Sequence, residues 1–303
     1  MNFKRRIQKL EQIFNSDLES KLVDLNIPKD PQEFYQDLGL LKHPKTNQPV
    51  IQLTPYQYSI WNNGYKFKYR LTIKSQKVGI TTSSLMEDFQ KAVTTCRGKE
   101  ILVIAQNLQL ARDHLYTLRK MIKGSKKYSQ FLIDKPTNLL FRDEVSKITV
   151  IFIRNPDNLN KPTRIIGLGP REGSVWSWKE VAHIHMSDVA ASDQLDDSGL
   201  FGAVFSRLAN TDGTLHIETP PRGQRGKIWE IYQNNEAQFK VTEVPATEAV
   251  KGGLITQEFL DAEKQRLGTL YGQYYECAFL NPFNTWYDDS LFSFEDESEE
   301  IHA

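Results

Sequence analysis

Leu71-Thr72-Ile73-Lys74-Ser75-Gln76-Lys77-Val78-Gly79-Ile80-Thr81-Thr82 is the stretch on which the reading of this chain turns. A β-branched, apolar run meets a tight glycine and then paired threonines, as where a phosphate-binding loop leads from a strand into a helix. In the usual pattern, G-x-x-x-x-G-K-[ST], backbone N–H groups cradle phosphates, a lysine neutralises them and the hydroxyl binds Mg²⁺. Here Gly79 is the second glycine and Thr81 offers the hydroxyl. Ile80 occupies the lysine's place, while Lys74 stands where the first glycine would be. Lys74 or Lys77 would then reach the β- and γ-phosphates, with Ser75, Gln76, Val78, Gly79, Ile80 and Thr82 completing the cradle.

The 303 residues suffice for one large domain or two modest ones with a substantial core. Charged residues make up 25 % and aromatics 11 %, which is ordinary for a soluble globular protein, and zero net charge argues neither for nor against nucleic acid. Charge distribution says more. Lys66, Lys68, Arg70, Lys74 and Lys77 gather around the loop, and Arg119, Lys120, Lys123, Lys126 and Lys127 follow a predicted helix. The C-terminus from Asp288 is acidic and reads as a solvated, disordered tail. Cys96 and Cys277 stand far apart without metal-ligand spacing, which fits a reduced compartment and no zinc site. Met1 opens a charged amphipathic segment, not a signal peptide, and no apolar run approaches the roughly 20 residues that span a bilayer. A soluble, cytoplasmic protein is expected.

Apolar residues at spacings of three and four predict a helix from Phe3 to about Asn26, and another near Gln32 to Leu38. Pro44 to Val50 reads as loop. Short strands then alternate with longer helices. Strands are predicted at Arg70 to Ile73, Glu100 to Ala105, Val181 to Met186, Gly213 to Glu218 and Phe239 to Glu243. Lys147 to Ile153 and Thr163 to Gly167 form a hairpin or an edge pair. Helices fall at Thr82 to Thr95, Leu108 to Ile122 and, as one helix or two, Thr256 to Tyr275. Such alternation predicts an α/β fold, a mostly parallel sheet covered on both faces. Three parts follow: a helical N-terminal segment 1–45, a phosphate-loop domain 46–283 and the tail 284–303.

Four segments stand in the order of a phosphate-loop ATPase. Leu53-Thr54-Pro55-Tyr56-Gln57 precedes the loop, and the Gln57 amide offers the donor and acceptor that suit an adenine edge. Its plainer reading is a helix cap after Pro55. The loop itself comes second. Val181 to Ala191 is third, an apolar strand ending in Asp188, where a carboxylate serves Mg²⁺ or the attacking water. His183 and His185 share a face of this strand and read as satisfied, half-buried histidines rather than metal ligands. Fourth, Gly213 to Gly223 takes a strand through Glu218 and Thr219 into Pro220-Pro221-Arg222-Gly223, a stretch able to sense the γ-phosphate or simply to make a stiff turn.

Together these segments resemble the ATPase domain of the large terminase subunit, the motor that packages DNA into viral procapsids. Lys74 to Thr81 resembles the variant Walker A loop of many terminases, whose lysine stands at the front. Segment 213–223 resembles their coupling motif, Ser-Thr-Pro-x-Gly, with Glu218 at the serine position. Thr163 to Pro170 resembles the strand before their Walker B, and Leu254 to Phe259 with Tyr271 to Leu280 resembles the segment closing the domain. The likeness covers Leu53 to about Leu280. It implies a RecA-like P-loop ATPase fold that binds ATP and Mg²⁺, with Lys74, Lys77, Asp188 and Glu218 as the catalytic set and Thr81 and Asp188 on the metal. It also implies double-stranded DNA as partner and a homo-oligomeric ring in which Arg171, Arg222 or Arg225 acts across the interface. Contact with portal protein and small terminase subunit, and the cytoplasm of an infected or provirus-bearing host cell, complete what the resemblance implies.

Two departures stand out. The family ends its Walker B strand with Asp-Glu. One overlay sets Ser187 on the aspartate and Asp188 on the glutamate, so Mg²⁺ loses its carboxylate. A one-residue shift leaves Asp188 on the metal and Val189 where the base should be. Losing a general base costs roughly 10²–10⁴-fold, so a degenerate homologue that binds nucleotide or DNA without hydrolysis is the alternative. A helicase-like enzyme is a more distant one. The stretch after Leu280 is also too short for the family's nuclease domain, and no DNA cleavage is expected.

Overall fold

The computed structural model describes residues 26–39, 52–133, 150–191, 197–234 and 238–280. Most of the expected N-terminal helix, the loop at Pro44 to Val50, the acidic tail and the outer segment boundaries lie outside the described residues.

Seven strands form one sheet: β1 (Tyr69–Lys74), β2 (Glu100–Ala105), β3 (Val150–Ile153), β4 (Thr163–Leu168), β5 (Val181–Ser187), β6 (Thr214–Thr219) and β7 (Phe239–Val244). Their order is β3-β4-β2-β5-β6-β1-β7. All neighbours run parallel except β3, which lies antiparallel on β4 at the edge. The helices are α1 (Pro31–Leu38), α2 (Pro55–Asn63), α3 (Ile80–Val93), α4 (Leu108–Gly124), α5 (Glu172–Trp176), α6 (Asp197–Ala209), α7 (Gly226–Asn234), α8 (Ala246–Lys251), α9 (Gln257–Leu267) and α10 (Tyr271–Tyr275). Both the α/β class and the mostly parallel sheet agree with the sequence reading.

Side chains alternate across a strand, so each strand feeds two faces. Ile101 and Val103 of β2 join Leu85, Phe89, Leu115 and Leu118 of α3 and α4 in one cluster. Leu102 and Ile104 join Leu200, Val204, Ile228 and Ile231 of α6 and α7 in the other. Burial on both faces explains why β2 reads as one unbroken apolar run. In β1, β5 and β6 the alternation has a second meaning. Leu71, Ile73, Ile184, Met186, Leu215 and Ile217 enter the α6/α7 cluster. Arg70, Thr72, His183, His185, His216 and Glu218 occupy the alternate positions and are equally buried. Their partners come from α3, whose Glu87, Asp88 and Lys91 are buried as well. A polar layer therefore lies between α3 and the centre of the sheet.

Candidate nucleotide site

Strands β5, β6 and β1 are neighbours, and their C-terminal ends coincide: Ser187 pairs with Glu218, which in turn pairs with Thr72. In parallel α/β sheets this edge is where ligands bind. The loop from Ser75 to Gly79 turns here from β1 into α3. Lys77 takes φ 64° and Gly79 φ 72°, the left-handed region. The left-handed backbone at Gly79 favours glycine, and a Cβ there would stand 2.9 Å from Gln57 Nε2 and displace that amide. Gly79 is the N-cap of α3, and no side chain caps that helix, so its first turn presents N–H groups and the positive end of the helix dipole to an anion.

The loop is held from behind by α2. Tyr56 Oη donates to the Val78 carbonyl at 2.8 Å and Gln57 Nε2 to the Gly79 carbonyl at 3.1 Å. Gln57 Oε1 accepts from the Thr54 N–H, closing a capping box with Thr54. Both ends of the Gln57 amide, read in the sequence as an adenine contact, are engaged with protein here. Ile80 packs with Ile60, Val78, Val244 and Ala249, which explains how an apolar residue fills the usual lysine position: the side chain points into the core. Gln76 N donates to the Tyr274 carbonyl of α10 and Ser75 N to the Val244 carbonyl at the end of β7, so a closing helix and the neighbouring edge strand anchor the loop's other flank. Lys77 is exposed at the turn.

Lys74 ends β1 and carries the charge. Its ammonium lies 2.8 Å from Thr81 Oγ1, 3.0 Å from Asp188 Oδ1 and 2.7 Å from Glu218 Oε2. Thr81 in turn donates to Glu218 Oε2 at 3.2 Å. Burial works against the Lys74 ammonium, but the Glu218 and Asp188 carboxylates outweigh it and raise its pKa. Burial and the neighbouring Glu218 charge push the Asp188 carboxyl up. Glu218 is fully enclosed, yet Lys74 and His185 hold it well below the usual carboxylate range.

Four of the expected residues, Lys74, Thr81, Asp188 and Glu218, thus converge. Glu218 brings a second carboxylate from β6 to the same cation that Asp188 meets at the end of β5. Ser187 is the last residue of β5, and Asp188 leaves the strand with φ 54°, its N–H donating to the Glu218 carbonyl. Ser187 Oγ donates to Glu218 Oε1 at 2.7 Å and lies 3.1 Å from His114 Nε2. Burial lowers the His114 pKa to about 4, leaving the ring neutral.

The histidines are fully enclosed, not half-buried. His185 Nδ1 lies 2.7 Å from Asp88 Oδ2 and its Nε2 lies 3.3 Å from Glu218 Oε1. Burial disfavours its charged form, but Asp88 and Glu218 outweigh that and raise the pKa to about 10. An imidazolium donating from both nitrogens is the species that fits two carboxylates. Behind it, His183 Nε2 faces Asp88 Oδ1 at 3.2 Å, and Lys91 and Arg70 both reach Glu87. Burial, with the Lys91 charge added, lowers His183 to about 4. His114 and Asp88 carried no signal in the sequence, since only the packing of α4 and α3 brings them to this edge. Arg171, Arg222 and Arg225 are exposed on the loops after β4 and β6, at the same edge.

The fold has parallels among solved structures. The Thermus phage P74-26 large terminase ATPase domain superposes with a TM-score of 0.63 over 84 % of this chain and 100 % of that one, at 12 % identity. The fold is that of a phage large terminase ATPase domain. The HK97 bacteriophage large terminase gives 0.62 at 11 % identity, covering 83 % of this chain and 54 % of that one. The large terminase of a thermophilic bacteriophage, solved in complex with ATP-gamma-S, gives 0.56 at 12 % identity, covering 75 % and 53 %. The chain spans about half the length of those two terminases. No protein-family model and no curated protein matches the sequence. Among the described residues no helix is long and apolar enough to cross a membrane.

Proposed function

We propose that this chain is the nucleotide-binding motor domain of a DNA-packaging machine, hydrolysing ATP to move double-stranded DNA. One observation carries the reading: the Lys74 ammonium sits among Thr81, Asp188 and Glu218 beside the uncapped N-terminus of α3. A cation held by hard hydroxyl and carboxylate oxygens is a stand-in for Mg²⁺, which takes the same donors, so the residues fit that ion. Thr81 and the neighbouring carboxylates would hold that ion, which would supply neutralisation of the phosphate charge.

The chain's own residues do the rest. The first turn of α3 and the Ser75 to Gly79 backbone bind the phosphates. Lys74 moves its charge from the carboxylates to the β- and γ-phosphates, with exposed Lys77 assisting; Thr81 would hold the metal, and Asp188 would serve either the metal or the attacking water. The neighbours' ADP and ATP-gamma-S complexes support nucleotide as the ligand. DNA contact is to phosphates through basic loops. A ring of copies would let Arg171, Arg222 or Arg225 reach a neighbour's site, with portal protein and a small terminase subunit as further partners.

The test is Mg²⁺-dependent ATP turnover with and without double-stranded DNA, for wild type, Lys74→Ala and Asp188→Ala. Turnover that both substitutions abolish supports the motor. Nucleotide binding that depends on Lys74 but never leads to hydrolysis overturns it in favour of the non-hydrolysing homologue.

A further inference from the structure

From the geometry of β5 and β6 we infer that the metal-side acid of this site has moved one strand over: Glu218 on β6 does the work that Ser187 on β5 cannot. The inference rests on the nucleotide-site reading above and assigns roles within it. Ser187 ends β5 in the place an acid would hold, but it offers a neutral hydroxyl. Its register partner across the ladder is Glu218, and the two side chains meet at 2.7 Å. Ser187 thus holds one carboxylate oxygen, and His185 shares it at 3.3 Å.

The other oxygen, Oε2, faces the cation and accepts the Thr81 hydroxyl proton. That second contact decides the role. A hydroxyl that donates to a carboxylate turns its lone pairs the other way, toward a cation, and here the Lys74 ammonium already receives them at 2.8 Å. Glu218 is therefore a positioning residue, acting on the metal through Thr81 and through its charge. Asp188 is placed differently. It has left the strand at φ 54° and its side chain is a quarter exposed, at the mouth of the site. Its place suits the orientation of a water more than the fixing of a metal. A Ser-Asp strand end then retains both acidic functions, one from each of two neighbouring strands.

The experiment measures affinity for a non-hydrolysable ATP analogue, first in EDTA and then across a Mg²⁺ titration, with Mn²⁺ affinity by electron paramagnetic resonance as a second readout. Wild type binds in EDTA and tightens with Mg²⁺. Glu218→Gln, read against its own affinity in EDTA, loses about 10–100-fold of metal affinity, the usual cost of removing an orienting partner. Asp188→Asn, with an asparagine that tolerates positive φ, keeps the Mg²⁺ tightening. The exchange Ser187→Asp with Glu218→Ser returns the acid to β5 and recovers it. A merely structural glutamate would not be rescued by that exchange. Tightening that survives Glu218→Gln or vanishes in Asp188→Asn overturns the inference. If Glu218→Gln fails to fold, the exchange variant decides: Mg²⁺ tightening retained with the acid back on β5 supports the inference, and its loss overturns it. Wild type that binds in EDTA without tightening overturns this inference only; wild type that binds no nucleotide overturns the site reading with it.

Discussion

The Lys74 ammonium and the Glu218 carboxylate meet at 2.7 Å between adjacent strands, with the lysine side chain one-tenth exposed and the glutamate wholly enclosed. Each explains the other: a carboxylate with no access to water needs a cation, and the lysine is held ready beside the phosphate site. Lys74→Ala should therefore cost stability as well as nucleotide binding. Removing one partner of a buried pair leaves the other uncompensated, a loss of about 3 kcal/mol. Chemical denaturation would show it, and Lys74→Ala with Glu218→Gln should recover much of it.

Stability should peak near pH 6.5, where two opposing groups of histidines cross. His185 has a folded pKa of about 10 against an ordinary 6.5, so its contribution is complete below 6.5 and fades as pH rises through 10. His183, at about 4, and His216, also lowered by burial, contribute above 6.5 and lose that contribution as pH falls. Asp88 and Glu218, both depressed by their cationic partners despite burial, add a further loss at acid pH. Melting temperature followed from pH 4 to 10 should trace this dome. His185→Gln should flatten its alkaline side.

Gly79→Ala should disable the loop. The left-handed backbone alone costs about 1–2 kcal/mol for a residue with a Cβ, and that Cβ would meet Gln57 Nε2 at 2.9 Å. Nucleotide affinity should fall together with melting temperature, as calorimetry on one preparation would register.

Gln57→Ala should weaken all nucleotides alike. Its amide joins the Thr54 N–H to the Gly79 carbonyl, so its loss costs about 1 kcal/mol of capping and loosens the loop. Competition between ATP and GTP checks this. A selective loss of ATP would instead reveal a direct adenine contact.

DNA binding through phosphates should weaken steeply with salt. For every two phosphates that the protein neutralises, affinity should fall about tenfold between roughly 50 and 200 mM salt. Fluorescence anisotropy with unrelated duplexes should give parallel slopes.

The sequence by itself determined the strands and the helices α1, α3, α4 and α9 with α10, because their signals are local, but α6 and α7, which cover one face of the sheet, were not read from it. The three-and-four spacing of Ala111, Leu115, Leu118 and Ile122 reflects burial of one helix face, while the alternation in Leu71 to Ile73 and in Leu215 to Ile217 separates an apolar face from an equally buried polar one. Strand–helix alternation then fixed a parallel sheet, and Gly79 with its following threonines marked the loop. Whether Gln57 reads a base or caps a helix, and whether Asp188 stands alone, were not legible, because both depend on what lies opposite. Only the tertiary structure set Glu218 beside Ser187, 31 residues away in sequence, and brought Asp88 of α3 and His114 of α4 to the same edge. Strand order decided this. A parallel sheet aligns the C-terminal ends of strands that are distant in the chain, so acids that look isolated in sequence share one buried charge.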